Sequence, residues 1–190
     1  MSKKIAFLFP GQGSQAVGML DAFKNDSQFS VLYDDLTRAA NEALGEDLSG
    51  LISQGPSEPL NLTTNTQPAM LLADVMCFQA WKQLGGIQPT MMAGHSLGEY
   101  AALVSAEVMS LQEGLRLVRA RANAMQNAVP VGQGGMAAIL GLSDEQVVQA
   151  CSKASAAGEV AEAVNFNAPS QVVIAGSAKG VELACQFAKE

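Results

Sequence analysis

The sequence predicts an α/β fold, and three observations carry that reading. Two short apolar runs, "KIAFLF" and "TMMAGHS", each lead into a glycine-bearing turn, as parallel strands do when they feed functional loops. Amphipathic or apolar stretches of helical length fill the chain between and after them. Beyond about residue 130 the rhythm shortens and becomes strand-rich.

The elements follow in order. "KIAFLF" is continuous in its apolarity and ends at Pro10-Gly11, so it reads as a parallel strand covered on both faces. "GQGSQAVGM" reads as a glycine-rich loop running into a helix. Residues 27–44 carry a helical pattern closed by Gly45. "GPSEPLNLTTNTQP" is dense in turn formers and predicts a loop. Pro68 fits the first turn of a helix that continues to about Leu84, where Gly85-Gly86 stops it. "TMMAGHS" is a second strand into a turn, and "LGEYAALVSAEVM" a helix. Ser110 with Glu113 predicts a capping box on a helix reaching about Asn127.

"VPVGQGG" marks a boundary, giving units 1–130 and 131–190. In the second unit "MAAILGL" is a strand. Ser143 with Gln146 caps the helix "DEQVVQACSKAS". "EVAEAVNFN" and "QVVIAGS" are strands around the turn "APS", and "AKGVELACQFAKE" is a helix. The order β-α-β-β-α is a split β-α-β pattern with its sixth element missing.

Composition narrows the function classes. Hydrophobic residues make up 48% of the 190, enough for a sizeable core. The net charge of −7 argues against nucleic acid and anionic membrane as partners. Cys77, Cys151 and Cys185 are scattered, and with a single histidine no metal site is expected. Scattered thiols fit a reducing cytoplasm. The opening "MSKKIAFLFPGQG" is too short in its apolar run for a signal peptide. "PAMLLADVMCFQAW" is too short, and carries Asp74, for a membrane span.

"GHSLG", residues 94–98, places Ser96 between a predicted strand and a predicted helix. A serine there sits on a sharp turn that thrusts its hydroxyl out of the sheet. Glycines on either side let backbone pass close, and the helix start offers N–H groups to a developing oxyanion. The bland alternative is a glycine-rich turn with an incidental serine. His95, the sole histidine, is adjacent to Ser96, and neighbours on an extended segment point to opposite sides. It is therefore expected to be a packed imidazole shaping the elbow, auxiliary to the nucleophile and not its base.

Together "FPGQGSQ" and "GHSLGEY" resemble the malonyl-CoA:acyl-carrier-protein transacylases of bacterial fatty-acid synthesis. "TQPA", "RLVRARANAMQ", "GGMAAILGL" and "VNFNAPSQVVIAG" extend the resemblance along the whole chain. It implies an α/β-hydrolase-like large domain, incomplete here, with an inserted ferredoxin-like small domain lacking its last strand. It implies that Ser96 takes malonyl from malonyl-CoA and passes it to the phosphopantetheine thiol of acyl carrier protein. Gln12 and Leu97 match the residues whose N–H groups form the oxyanion hole, and Arg121 matches the arginine that holds the malonyl carboxylate. A guanidinium fork suits a carboxylate, although the bland fate of any arginine is a solvated charge. Arg116, Arg119 and Arg121 share one helix and cannot all face one way at 100° per residue.

The resemblance implies no metal or other cofactor, a cytoplasmic setting and a monomer at full length. It also implies a catalytic histidine in a segment that residues 1–190 do not include, so the chain reads as C-terminally truncated and poorly active alone. Two other readings stay open: a serine hydrolase or thioesterase with the same elbow, and a non-catalytic fragment.

Overall fold

The computed structural model describes residues 4–130 and 132–189. Val131, in the predicted boundary loop, and the chain's first three residues and last lie outside the described residues. Two compact units form, Met1–Gln126 and Asn127–Glu190.

The first unit is built around one helix. Its elements are β1 (Ala6–Phe9), α1 (Asp21–Asn25), α2 (Ser30–Leu44), α3 (Leu48–Gln54), α4 (Ser57–Leu60), α5 (Thr63–Gln83), β2 (Met91–Gly94), α6 (Gly98–Ser105) and α7 (Leu111–Gln126). Helix α5 is apolar nearly all round and is buried from Thr66 to Met76, as such a helix must be. Helices α2, α6 and α7 pack on it. Strands β1 and β2 pair in parallel, Phe9 opposite Gly94, so the turns after both strands open at the same end of the sheet.

Strand β1 departs from its expected double burial. Phe7 and Phe9 turn inward, with Phe7 edge-on to Phe78 and Trp81 of α5 at 5.3 and 5.6 Å between ring centroids. Leu8 faces the other way and is 78% exposed.

Asp47 caps α3 by accepting from the Gly50 N–H at 2.8 Å. The segment expected to be loop, residues 55–68, is largely helical, with α4 forming a single turn. Helix α5 starts at Thr63, so Pro68 is its sixth residue and forfeits the bond to the Thr64 carbonyl. Thr66 reinforces that entry: its hydroxyl donates to the carbonyls of Leu60 at 2.6 Å and Leu62 at 3.0 Å. The helix after Ser96 is shorter than predicted, ending at Ser105, because Glu107 turns left-handed at φ 61°. Gly45, at φ 69°, closes α2 as expected. The Ser110–Glu113 capping box forms: the Ser110 N–H donates to Glu113 at 2.8 Å, and the Glu113 N–H donates to the Ser110 hydroxyl at 3.2 Å.

Asp74 lies in the α5 core, and its Oδ2 has no hydrogen-bond partner among the described residues. Burial pushes its pKa up to about 7. Between about pH 4 and pH 7 the unfolded chain therefore gives up this proton while the folded chain keeps it. Stability falls across that window by about 1.4 kcal/mol per pH unit, up to about 4 kcal/mol in all. Asp74→Asn keeps the shape without the charge. Denaturant midpoints at pH 5 and pH 8 should show the variant losing its pH slope and exceeding wild type at pH 8. Parallel pH profiles for the two proteins would sink this.

The second unit comprises β3 (Gly134–Leu140), α8 (Asp144–Ala156), β4 (Ala161–Ala168), β5 (Gln171–Ser177) and α9 (Ala178–Phe187). Its strands are antiparallel in the order β3-β5-β4. Val172 and Ile174 of the central strand meet Val147, Cys151 and Ala154 of α8 and Val181 and Ala184 of α9 to form its core. Ser143 and Gln146 make the expected capping box at the start of α8.

Candidate active site

The site forms at the open end of the β1–β2 pair. Strand β2 runs into Ser96, which stands at φ 56°, and α6 begins two residues later. A left-handed conformation strains any residue with a Cβ, by about 1–3 kcal/mol, so the surroundings must impose it. The flanking glycines show how. A Cβ on Gly94 would overlap the Gly98 carbonyl, and a Cβ on Gly98 would overlap the carbonyl of Phe9. The Gly-x-Ser-x-Gly spacing is thus a pair of backbone clearances that let β1, β2 and α6 converge beneath the serine.

The helix start is aimed at the same place. Gly98 N–H donates to the His95 carbonyl at 2.9 Å and Glu99 N–H to the Ser96 carbonyl at 3.2 Å. Leu97, fully buried, heads α6, so its N–H and the positive end of the helix dipole lie beside the serine. The loop after β1 passes close as well: a Cβ on Gly11 would stand 3.7 Å from Ser96 Cβ. Gln12, next in that loop, is exposed.

His95 takes its place through the backbone, its N–H donating to the Phe9 carbonyl at 3.0 Å. The imidazole expected to be packed is exposed, with Nδ1 about 3.0 Å from where a Gly11 Cβ in the β1 loop would sit. What meets the serine oxygen is Arg121: its guanidinium donates to Ser96 Oγ at 2.8 Å. The three arginines of α7 diverge as helical geometry requires. Arg119 pairs with Glu46 and Arg116 is exposed, while Arg121 alone turns to the serine.

Three further residues complete the arrangement, and none was singled out from sequence. Gln67, wholly buried on α5, accepts from Arg121 through Oε1 at 2.6 Å. The Thr63 hydroxyl donates to Gln12 Oε1 at 2.7 Å. Tyr100 lies under the guanidinium, its ring centroid 6.0 Å from Arg121 Cζ. A signal for Gln67 existed: a carboxamide directly before Pro68 in an apolar helix needs a buried partner. Nothing local identifies which. Among the described residues no cluster of His, Cys, Asp or Glu is placed to hold a metal ion, and no helix is long and apolar enough to cross a membrane.

Chemically, the arrangement offers an exposed hydroxyl at the start of a helix and a guanidinium that donates to it. It suits an acyl group whose carbonyl oxygen becomes negative and whose far end already carries a negative charge. Fold and site together define an α/β protein with a left-handed serine on a glycine-flanked strand-to-helix turn. The chain belongs to the acyl transferase domain family, whose pattern it matches over residues 6–188. It is 49% identical over 189 residues to the malonyl CoA-acyl carrier protein transacylase of Haemophilus influenzae, covering 99% of this chain and 59% of that protein. Against the Bacillus subtilis (strain 168) transacylase the identity is 46%, over 98% of this chain and 58% of that one. Among solved structures, the acyl-carrier-protein S-malonyltransferase of Burkholderia pseudomallei superposes with a TM-score of 0.91 at 57% identity, covering 98% of this chain and 59% of that one. A malonyl-transacylase in complex with a type II polyketide-synthase acyl carrier protein also gives 0.91, at 46% identity and the same coverages. The chain therefore spans just under three-fifths of the length of these relatives.

Proposed function

We propose that this chain carries the serine half of a malonyl transfer site. Ser96 is the nucleophile that takes malonyl from malonyl-CoA and holds it as an ester before acyl carrier protein's phosphopantetheine thiol removes it. The N–H groups of Gln12 and Leu97 stabilise the oxyanion, Arg121 holds the malonyl carboxylate, and His95 shapes the elbow. The observation that carries this reading is the Arg121–Ser96 contact at 2.8 Å, which sets a carboxylate-binding fork directly beside the nucleophile. Relatives named as malonyl transacylases, one of them in complex with an acyl carrier protein, support the substrate and partner.

The domain reading goes with it. Residues 1–130 form part of an α/β-hydrolase-like catalytic domain, and 131–190 a ferredoxin-like small domain. The order β3-β5-β4, with α8 and α9 packed on it, supports the latter. Three free thiols fit a cytoplasmic protein. The full-length protein is proposed to act as a monomer without a metal or other cofactor of its own.

Arg121→Ala tests the carboxylate assignment in the protein as its gene encodes it. A charge-assisted contact of about 1.5–3 kcal/mol predicts a loss of roughly 10- to 150-fold in kcat/KM for malonyl-CoA. Acetyl-CoA, which lacks the carboxylate, should lose far less. Equal losses for both substrates would make Arg121 structural. Product analysis in the same assay separates transfer from hydrolysis: malonyl on acyl carrier protein supports this reading, and free malonate as the main product supports a hydrolase.

A further inference from the structure

Ser96, Arg121, Gln67, Thr63 and Gln12 form one continuous hydrogen-bond chain, and donor chemistry alone fixes its direction. A guanidinium has donors and no acceptor. Arg121 therefore gives protons both to Ser96 Oγ at 2.8 Å and to Gln67 Oε1 at 2.6 Å. That orients the Gln67 carboxamide, whose NH2 end donates to Thr63 Oγ1 at 3.3 Å. Thr63 accepts there, so its one hydroxyl proton goes onward to Gln12 Oε1 at 2.7 Å. Gln67 is wholly buried, and a buried carboxamide is costly unless both ends are paired. The chain is thus anchored at its centre, with the guanidinium at one end and the loop of Gln12 at the other. Those two ends flank Ser96.

We propose that Thr63 is a positioning residue whose hydroxyl ties the Gln12 loop to the buried Gln67–Arg121 pair. The inference rests on the acyl-transfer reading only for its kinetic consequence. Thr63 touches neither substrate nor the reacting oxygen. It holds the loop N–H groups and the guanidinium at one spacing, so a carboxylate engaging Arg121 is registered at Gln12. Gln12 is exposed, and its tie to Thr63 spans 51 residues of sequence. Further along, the loop is held separately by Gln15, whose Nε2 donates to Asn61 Oδ1 at 2.9 Å.

Thr63→Val keeps the branched shape and removes the proton donor. In the protein as its gene encodes it, kcat for malonyl transfer should fall about tenfold with KM changed by less than about twofold. Thr63→Ser should restore kcat to within about twofold of wild type, which a packing role for the methyl group would not do. NMR of the side-chain amides supplies a readout independent of turnover, with sodium malonate as probe. The Gln12 amide resonance of Thr63→Val should already move without malonate. On addition, the Arg121 Nε–H should respond in both proteins and Gln12 in wild type alone. An unchanged kcat in Thr63→Val, failure of Thr63→Ser to rescue, or an unmoved Gln12 resonance would overturn the proposal. A wild-type protein that fails to transfer malonyl would instead sink the acyl-transfer reading, and the Gln12 resonance in malonate-free protein still decides the tie.

Discussion

Ser96→Ala is expected to abolish formation of an acyl-enzyme. In wild type, malonyl-CoA should add one malonyl mass to the peptide bearing residue 96, and a thiol acceptor should remove it. The variant should show no added mass and a fall in transfer of about 10⁴-fold or more, the scale on which removing a covalent nucleophile acts. The size follows from the mechanism. Without the hydroxyl no ester forms, and the N–H groups and Arg121 are left to bind a substrate they cannot attack. The substitution should barely affect folding. Ser96 is exposed at the elbow, and alanine meets the same left-handed backbone with a Cβ that the serine already has. Intact-mass spectrometry with a thermal melt separates the two effects. Malonyl label persisting on the variant at normal stability would move the nucleophile elsewhere.

The elbow was legible in the sequence because its chemistry is enforced by backbone clearance. Gly94 and Gly98 stand where a Cβ would overlap main-chain atoms of α6 and β1, so the motif carries its own three-dimensional meaning. The same holds for the Ser143–Gln146 capping box, whose partners lie within three residues. Features that depend on distant partners were not legible. "GPSEPLNLTTNTQP" has the composition of a loop, yet α4 and the first turns of α5 form there, helped by long-range burial of Leu60 and by Thr66 bonding back to Leu60 and Leu62.

The Gln67–Arg121 bond joins residues 54 apart, and no spacing rule leads from one to the other. Arg121 itself was distinguished from Arg119 by resemblance alone. The structure supplies a physical reason, since Glu46 occupies Arg119 and leaves Arg121 to face the serine.

A polypeptide consisting of residues 1–190 alone is expected to transfer malonyl at least about a thousandfold more slowly than the full-length relatives. The argument is one of proton acceptors. Serine needs a base with a pKa near neutral within hydrogen-bond reach of Oγ. The group on Ser96 Oγ is the guanidinium of Arg121, which donates and has no lone pair to accept with. His95 is the sole imidazole in the sequence, and it is exposed, with Nδ1 turned toward Gly11 in the β1 loop. Carboxylates at their ordinary pKa are too weakly basic for the task at pH 7, and Asp74, which burial raises to about 7, lies within the α5 core. Oxyanion N–H groups and substrate binding would still function, so a residual rate above background is expected. Single-turnover assays on the 190-residue polypeptide and its His95→Ala variant decide the matter. Both should be slow and alike. Turnover near that of the relatives, lost on His95→Ala with the fold intact, would make His95 the base and overturn its assignment as a shaping residue.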